Sequence, residues 1–364
     1  MSALPPLSPI RMSYRDLLSD PISLVLPVAQ AFGADPGCLG IILIDSLPPE
    51  FIILRQRLFF LAHAFANLPK AVREGMSRPE SLYSFGWSHG KELMNGRLDT
   101  MKGSFYANPL VDKPDVPDEL RASHPEYYSE NVWPKCTPGM EEFEVTFKAL
   151  GKIVYDVGLA LARACEPFVL AASPNRSKSL ESLIAQSQCN KARLLHYYPE
   201  SPLSSATNRI ANDALCGTHV DHSLLTGLCS AMYLSLSSLA ASSSLSIVSP
   251  SSNTAGLYIH PRYRSSQSRP QAVKVEIPPD CLAFQTGEAL ELLTAGKLAA
   301  TPHFVSGNAA PSPEASEVSR ETFAFFLQPD VEDVIGFDGE NFGAFTKRVL
   351  GRHYGEKAVR EAEG

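Results

Sequence analysis

The 364-residue sequence contains no C-x-x-C pair, and its seven cysteines are an odd number. That pattern fits neither a structural zinc site nor a closed disulfide framework, so Cys165, Cys216 and Cys281, among apolar neighbours, read as reduced thiols. No apolar run is long enough to span a bilayer. The opening MSALPPLSPIRMSYRD also lacks the basic stretch and apolar core of a secretory signal. A cytoplasmic protein with no membrane partner is expected, and on that expectation the sequon at Asn175 carries little weight. A cationic surplus is missing too: 32 Lys and Arg against 39 Asp and Glu leave a net charge of -7, with the basic residues scattered. Nucleic acid is therefore excluded as an expected partner. With 44% hydrophobic and 20% charged residues the chain can build a core, so disorder is not its dominant state.

The residues divide the chain into regions of different character. A short apolar run at Ile41–Ile44 and a Pro48-Pro49 pair precede helical spacing from Phe51 to Leu68, stopped by Pro69. Residues 82–136 are rich in Gly, Pro, Asn and aromatics with little periodicity. They read as ordered loops, and Phe85, Trp87, Phe105, Tyr106, Tyr127 and Tyr128 read as an aromatic lid. From Met140 to Ala164 one apolar stripe (Phe143, Phe147, Leu150, Val154, Val157, Leu161) predicts a buried helix that Pro167 ends or kinks. A shorter helix is expected over Leu180–Gln186.

Beyond it, Ala192–Tyr198, Leu224–Leu234, Gly256–Ile259, Ala272–Ile277, Cys281–Thr286, His303–Ser306 and Thr322–Gln328 read as short strands of a β-sandwich or barrel. Ser235–Asn253, with ten serines in nineteen residues, reads as a surface insertion between strands, and the chain from Gly343 as a charged helical tail. The organisation expected is 1–139 with strand, helix and aromatic lid, 140–189 as backbone helix and connector, 190–335 as the β domain carrying insertion 235–253, and 336–364 as the C-terminal tail.

Four groups of residues could carry chemistry. Gly86-Trp87-Ser88-His89-Gly90 fits the G-x-S-x-G turn of hydrolases, but the preceding SLYSF is a weak strand and Asn95-Gly96 interrupts the segment after it. A Gly-rich loop is the better reading. In Thr218-His219-Val220-Asp221-His222 an extended backbone puts His219 and Asp221 on one face, their Cα atoms about 7 Å apart, with His222 on the other. His303, 82 residues after Asp221 in a strand-like segment, supplies a third ligand. Two histidines and one carboxylate leave three positions open on a metal, the arrangement of non-haem Fe(II) oxygenases. On the last strand Arg320 and Thr322 share a face and can bind one carboxylate together. His196 and Tyr198 share a face of the strand ending at Pro199, with Tyr197 on the other.

The order of LLHYYPE, THVDHSLLTGL, IPPDCLAFQTGEALELLTAGKLAATPHFV and RETFAFFLQP resembles the isopenicillin N synthase-like branch of the 2-oxoglutarate and Fe(II)-dependent dioxygenases over roughly residues 190–330. The stretch from Gly37 to Pro69 resembles the N-terminal region of the same enzymes. The resemblance implies a mainly β fold with helices: a double-stranded β-helix (jelly-roll) core flanked by N-terminal helices and a C-terminal helix. It implies His219, Asp221 and His303 as iron ligands, Arg320 with Thr322 as the clamp on 2-oxoglutarate, and Tyr198 and His196 as further cosubstrate contacts. Family members commonly carry Ser where Thr322 stands and Asn where His196 stands.

The cofactors so implied are Fe(II), 2-oxoglutarate and O2, with ascorbate as a reductant. The partner implied is a small-molecule substrate, oxidised with release of succinate and CO2 by a protein expected to be a monomer. Three rivals stand beside this reading: a related iron oxidase that does not use 2-oxoglutarate, a non-catalytic ligand sensor of the same fold, and a serine hydrolase resting on Ser88.

Overall fold

A computed structural model describes residues 8–94, 97–199, 214–237, 244–250, 253–263, 270–307, 318–336 and 338–349. The connection Asn308–Ser319 lies largely outside these residues, as does the tail beyond 349.

In chain order the strands are β1 (Ile10–Ser13), β2 (Ile41–Asp45), β3 (Gly86–His89), β4 (Leu93–Met94), β5 (Arg97–Leu98), β6 (Lys102–Ala107), β7 (Lys191–Tyr197), β8 (Ala214–His219), β9 (Leu225–Cys229), β10 (Met232–Ser237), β11 (Ser244–Val248), β12 (Gly256–Ile259), β13 (Val273–Val275), β14 (Leu282–Thr286), β15 (His303–Ser306) and β16 (Val318–Leu327). A large sheet runs β1-β2-β14-β9-β16-β7-β6-β3, with β10 beside β16 and β11 beside β10. A smaller sheet runs β13-β12-β15-β8. The two sheets enclose a cavity, and helices cover the outer face of the large one, as in a jelly roll with helical flanks.

Strand alternation sorts the residues of the central pair. Arg320, Thr322, Ala324 and Phe326 on β16, with Arg193, Leu195 and Tyr197 on β7, turn into the cavity. The residues between them turn outward, where Phe323, Phe325 and Leu194 join the main core. That core is closed by the helix Phe143–Ala172, whose predicted stripe is buried throughout. Glycine allows the close approach: a Cβ at Gly158 would stand 2.6 Å from the Leu327 side chain, and one at Gly227 2.5 Å from Val154. The helix continues through Pro167 to Ala172 instead of ending there. Proline removes the amide that would bond the Arg163 carbonyl, in a residue that is only half-buried.

Three further expectations are corrected. Residues 82–136 are mostly loops and turns as expected, but they are not only a cover: β3 and β6 extend the large sheet beside β7, and Phe85, Trp87, Phe105, Tyr127 and Tyr128 are buried. None of these residues lines the cavity, so they pack the wall from outside and form no lid over it. Leu224–Leu234 is two strands, because β9 pairs with the end of β16 and β10 with its start. The carbonyls of Ser230 and Ala231, left over at the step, accept hydrogen bonds from the buried guanidinium of Arg55 at 2.8 and 3.2 Å. The serine-rich segment contains β11, paired antiparallel with β10, and Leu245 packs against the core; short polar residues do not prevent pairing when a free strand edge lies alongside. Its residues 238–243 and 251–252 lie outside the described residues. The segment Glu288–Leu293 forms a helix that the sequence pattern does not indicate, and residues 342–349 are helical as expected.

Candidate metal and cosubstrate site

His219 ends β8 and His303 begins β15, directly opposite each other in the pairing of these strands, with ring centroids 4.3 Å apart. Asp221 follows where the chain leaves β8. Its backbone carbonyl accepts from the amide of Glu288 at 2.8 Å, and Gly287 makes this approach possible, since a Cβ there would stand 2.0 Å from the Ser223 oxygen. One donor atom from each of His219, Asp221 and His303 lies within 4.8 Å of the other two.

The imidazoles are held in a definite orientation. His219 Nδ1 lies 2.8 Å from the Gly217 carbonyl and His303 Nδ1 2.9 Å from the Thr301 carbonyl. A carbonyl only accepts, so Nδ1 carries a proton in each ring and Nε2 is the nitrogen through which a metal would be held. His219 Nε2 is 3.8 Å from Asp221 Oδ1. Burial alone would raise the Asp221 carboxyl, but His303, His219 and a hydrogen bond from Thr226 hold it below its ordinary value. Burial disfavours the His219 imidazolium, yet Cys216 and Asp221 outweigh it and raise the group to about 9. Burial lowers His303, against the pull of Asp221. The donor set suits a borderline divalent cation.

The cavity is about 480 Å³. Its far wall holds Arg320, 8% exposed, whose Nε and Nη1 have no hydrogen-bond partner. The guanidinium lies over the Tyr197 ring at 4.9 Å. Thr322 lines the same wall, its hydroxyl donating to the Cys229 carbonyl at 3.2 Å. A buried cation with unused donors is a receptor for an anion, and a planar carboxylate matches its fork. The remaining wall is mainly apolar, with Leu195, Leu228, Ala324 and Phe326 packed together.

Arg193 enters the cavity from β7 and is fixed from behind, Nη2 on Glu92 at 2.6 Å and Nε on Ser104 Oγ at 3.0 Å. Lys102 also pairs with Glu92, at 3.0 Å, and with Asp99, at 2.8 Å. Burial opposes ionisation of Glu92, but the charges of Arg193 and Lys102 bring its carboxyl down to about 2. Sequence reasoning missed this quartet, because Arg193 lies far along the chain from Glu92, Asp99 and Lys102 and meets them only when β6 pairs with β7.

The structure brings His219, Asp221, His303, Arg320 and Thr322 into one cavity and leaves His196 and Tyr198 outside it. The phase of β7 is the reason: Tyr197 lies opposite Arg320 in the pairing and shares its face. His196 and Tyr198 therefore face the helices. His196 Nδ1 contacts Glu321 at 2.8 Å, and the Tyr198 hydroxyl accepts from Arg73 at 2.6 Å. The alternation was legible in the sequence, but which face turned inward was not. His222 faces away from the cavity toward Glu288, at 2.7 Å. Ser88 is buried within β3, with no strand-turn-helix around it, so it occupies no nucleophile elbow.

No family model and no curated protein matches the chain. Solved structures do. A full-length Neurospora crassa protein in complex with alpha-KG is 16% identical with a TM-score of 0.64, covering 96% of this chain and 98% of its own. Dioxygenase for auxin oxidation 1 of Arabidopsis thaliana, with 2-oxoglutarate, is 12% identical with a TM-score of 0.55, covering 92% and 100%. The rice dioxygenase for auxin oxidation is 13% identical with a TM-score of 0.55, covering 95% and 96%. The jelly roll with helical flanks is thus the fold of these proteins over nearly their whole length.

Proposed function

We propose that the protein is an Fe(II)- and 2-oxoglutarate-dependent dioxygenase that hydroxylates a small organic molecule with release of succinate and CO2. The observation that carries the reading is one cavity holding both a two-histidine, one-carboxylate cluster and a buried guanidinium with unused donors. His219, Asp221 and His303 would hold iron(II), which with 2-oxoglutarate supplies the power to oxidise a substrate C–H bond with O2.

The chain's own contribution is placement. Arg320 would take the distal carboxylate of 2-oxoglutarate, its charge and fork both matched. Thr322 would receive the same group by turning its hydroxyl from Cys229, and Tyr197 would hold the guanidinium plane in position. The carbonyls of Gly217 and Thr301 keep both imidazoles from rotating. The apolar wall excludes water from the reacting region. The same-fold structures solved with alpha-KG or 2-oxoglutarate support the cosubstrate. On its sequence the enzyme is read as cytoplasmic and monomeric, with 190–335 as its catalytic domain.

The test is an anaerobic titration of 2-oxoglutarate into the iron-loaded protein, followed by its visible charge-transfer absorption, with succinate measured after oxygen is admitted. A saturable band in wild type that is lost in Asp221→Ala supports the proposal. Iron binding without a band, or turnover without succinate, would favour the oxidase that does not use 2-oxoglutarate.

A further inference from the structure

A second cluster of two histidines and a carboxylate lies on the opposite face of the β7–β16 pair. His196 and Glu321 are direct cross-strand partners, and their outward face is covered by the helix Glu50–Ala66. That helix lays His63 over them, one turn after the buried Phe59 and one turn before Ala66 and Asn67. One donor atom from each of His63, His196 and Glu321 lies within 4.8 Å of the others, the same closeness found in the cavity triad. Ser319, two residues before Glu321 and on its face, places its hydroxyl 3.0 Å from His63 Nδ1 and 2.9 Å from Glu321 Oε1.

The electrostatics of this cluster are incomplete. Glu321 is fully buried and His196 is 2% exposed, while Glu321 Oε2 and His196 Nε2 have no hydrogen-bond partner. Among the described residues the ion pairs of Glu321 are to His196 and His63, and none is to a lysine or arginine. Leaving a carboxylate oxygen and an imidazole nitrogen buried and unpaired is costly, and neighbouring apolar residues on this face show that the site could have been filled without charge. His63, with 12% of its side chain exposed, gives the cluster a route to solvent.

We propose that His63, His196 and Glu321 form a second divalent-cation site, independent of the cavity triad. Two imidazoles and one carboxylate favour a borderline cation such as Zn(II) or Co(II) over the all-oxygen preference of Ca(II) and Mg(II). An ion there joins the helix Glu50–Ala66 to β7 and β16 and so braces the strands whose other face carries Tyr197, Arg320 and Thr322. The assignment depends neither on the cavity's role in catalysis nor on the cavity triad holding a metal.

Co(II) is the probe, because its visible absorption reports the donor set and equilibrium dialysis with metal analysis counts the ions. The full-length apoprotein is titrated as wild type, as His219→Ala/Asp221→Ala, as His63→Gln, and as the three changes combined. The expected stoichiometries are two, one, one and none. His63→Gln retains a side chain able to bond Ser319 while removing the imidazole, and the affinity of the second site should fall by more than the roughly 10–100-fold typical of an outer-shell change.

As a second readout, Co(II) raises the melting midpoint of His219→Ala/Asp221→Ala but not of the combined variant. The proposal is overturned if His219→Ala/Asp221→Ala retains no Co(II), or if its bound ion and thermal shift persist after His63→Gln. The opposite pattern, in which wild type binds one ion that survives His219→Ala/Asp221→Ala and is lost with His63→Gln, upholds the second site and instead refutes the cavity triad as a metal site.

Discussion

The two faces of the β7–β16 pair differ although they share the same backbone. Facing the helices, Leu194, Phe323 and Phe325 are buried in continuous aromatic and aliphatic contact, with the Phe147 and Phe323 rings 5.2 Å apart. Facing the cavity, Arg320 has unused donors and Thr322, Ala324 and Phe326 border open space. Apolar contact fills the first face except at the His196–Glu321 pair, and it sets stability. The second is left unsatisfied at the positions where a ligand would complete it. Function on this strand pair is thus separated from folding by a period of two residues.

Substitutions should separate the faces accordingly. The largest effect belongs to the three proposed metal ligands: His219→Ala, Asp221→Ala or His303→Ala should each weaken Fe(II) binding more than about 100-fold and abolish turnover while the far-ultraviolet circular dichroism spectrum is retained. Full iron occupancy by metal analysis in any of them would remove that residue from the site. On the packed face, Phe323→Ala should cost about 3–5 kcal/mol of stability in chemical denaturation, with 2-oxoglutarate affinity unchanged for the folded fraction.

On the open face, Arg320→Ala should weaken 2-oxoglutarate binding about 100-fold, equivalent to about 3 kcal/mol, and leave stability unchanged or higher, because a buried cation without a partner is removed. Arg320→Lys should restore only part of the loss, since an ammonium cannot reproduce the fork. If Arg320→Ala unfolds the protein, the separation of the two faces fails.

The charged quartet behind Arg193 sharpens the comparison through pH. Glu92 titrates near 2 in the folded protein against an ordinary 4.5. Its contribution is fully present above the ordinary value and is lost as pH falls toward 2. Glu92→Gln should therefore cost about 2–3 kcal/mol near neutrality, a figure reduced for its partial exposure, and the cost should shrink steadily below about pH 4.5. A mutant–wild-type difference in melting midpoint that is flat between pH 7 and pH 3 would contradict the charge pairing.

The smallest expected effects concern adjacent tyrosines. Tyr197→Leu should weaken 2-oxoglutarate binding by up to about tenfold by removing the ring under the Arg320 guanidinium, while Tyr198→Phe should leave it unchanged and cost about 1 kcal/mol through the lost bond to Arg73. The reverse result would mean that β7 presents its other face to the cosubstrate.

The sequence by itself determined which residues can do chemistry and which segments must be buried. The H-x-D spacing, the lone downstream His303, the Arg320-x-Thr322 pair and the stripe of the Phe143–Ala172 helix depend only on local geometry, where a period of 2 or 3.6 residues fixes which side chains share a face. The tertiary structure alone decided which face of β7 turned inward, so that Tyr197 and not Tyr198 stands beside Arg320. It also decided that 82–136 extends the sheet, that β11 pairs with β10, and that Glu92, Lys102 and Arg193 meet. In each case the deciding interaction joins segments distant in the chain, and periodicity within a segment carries no information about which partner lies across from it.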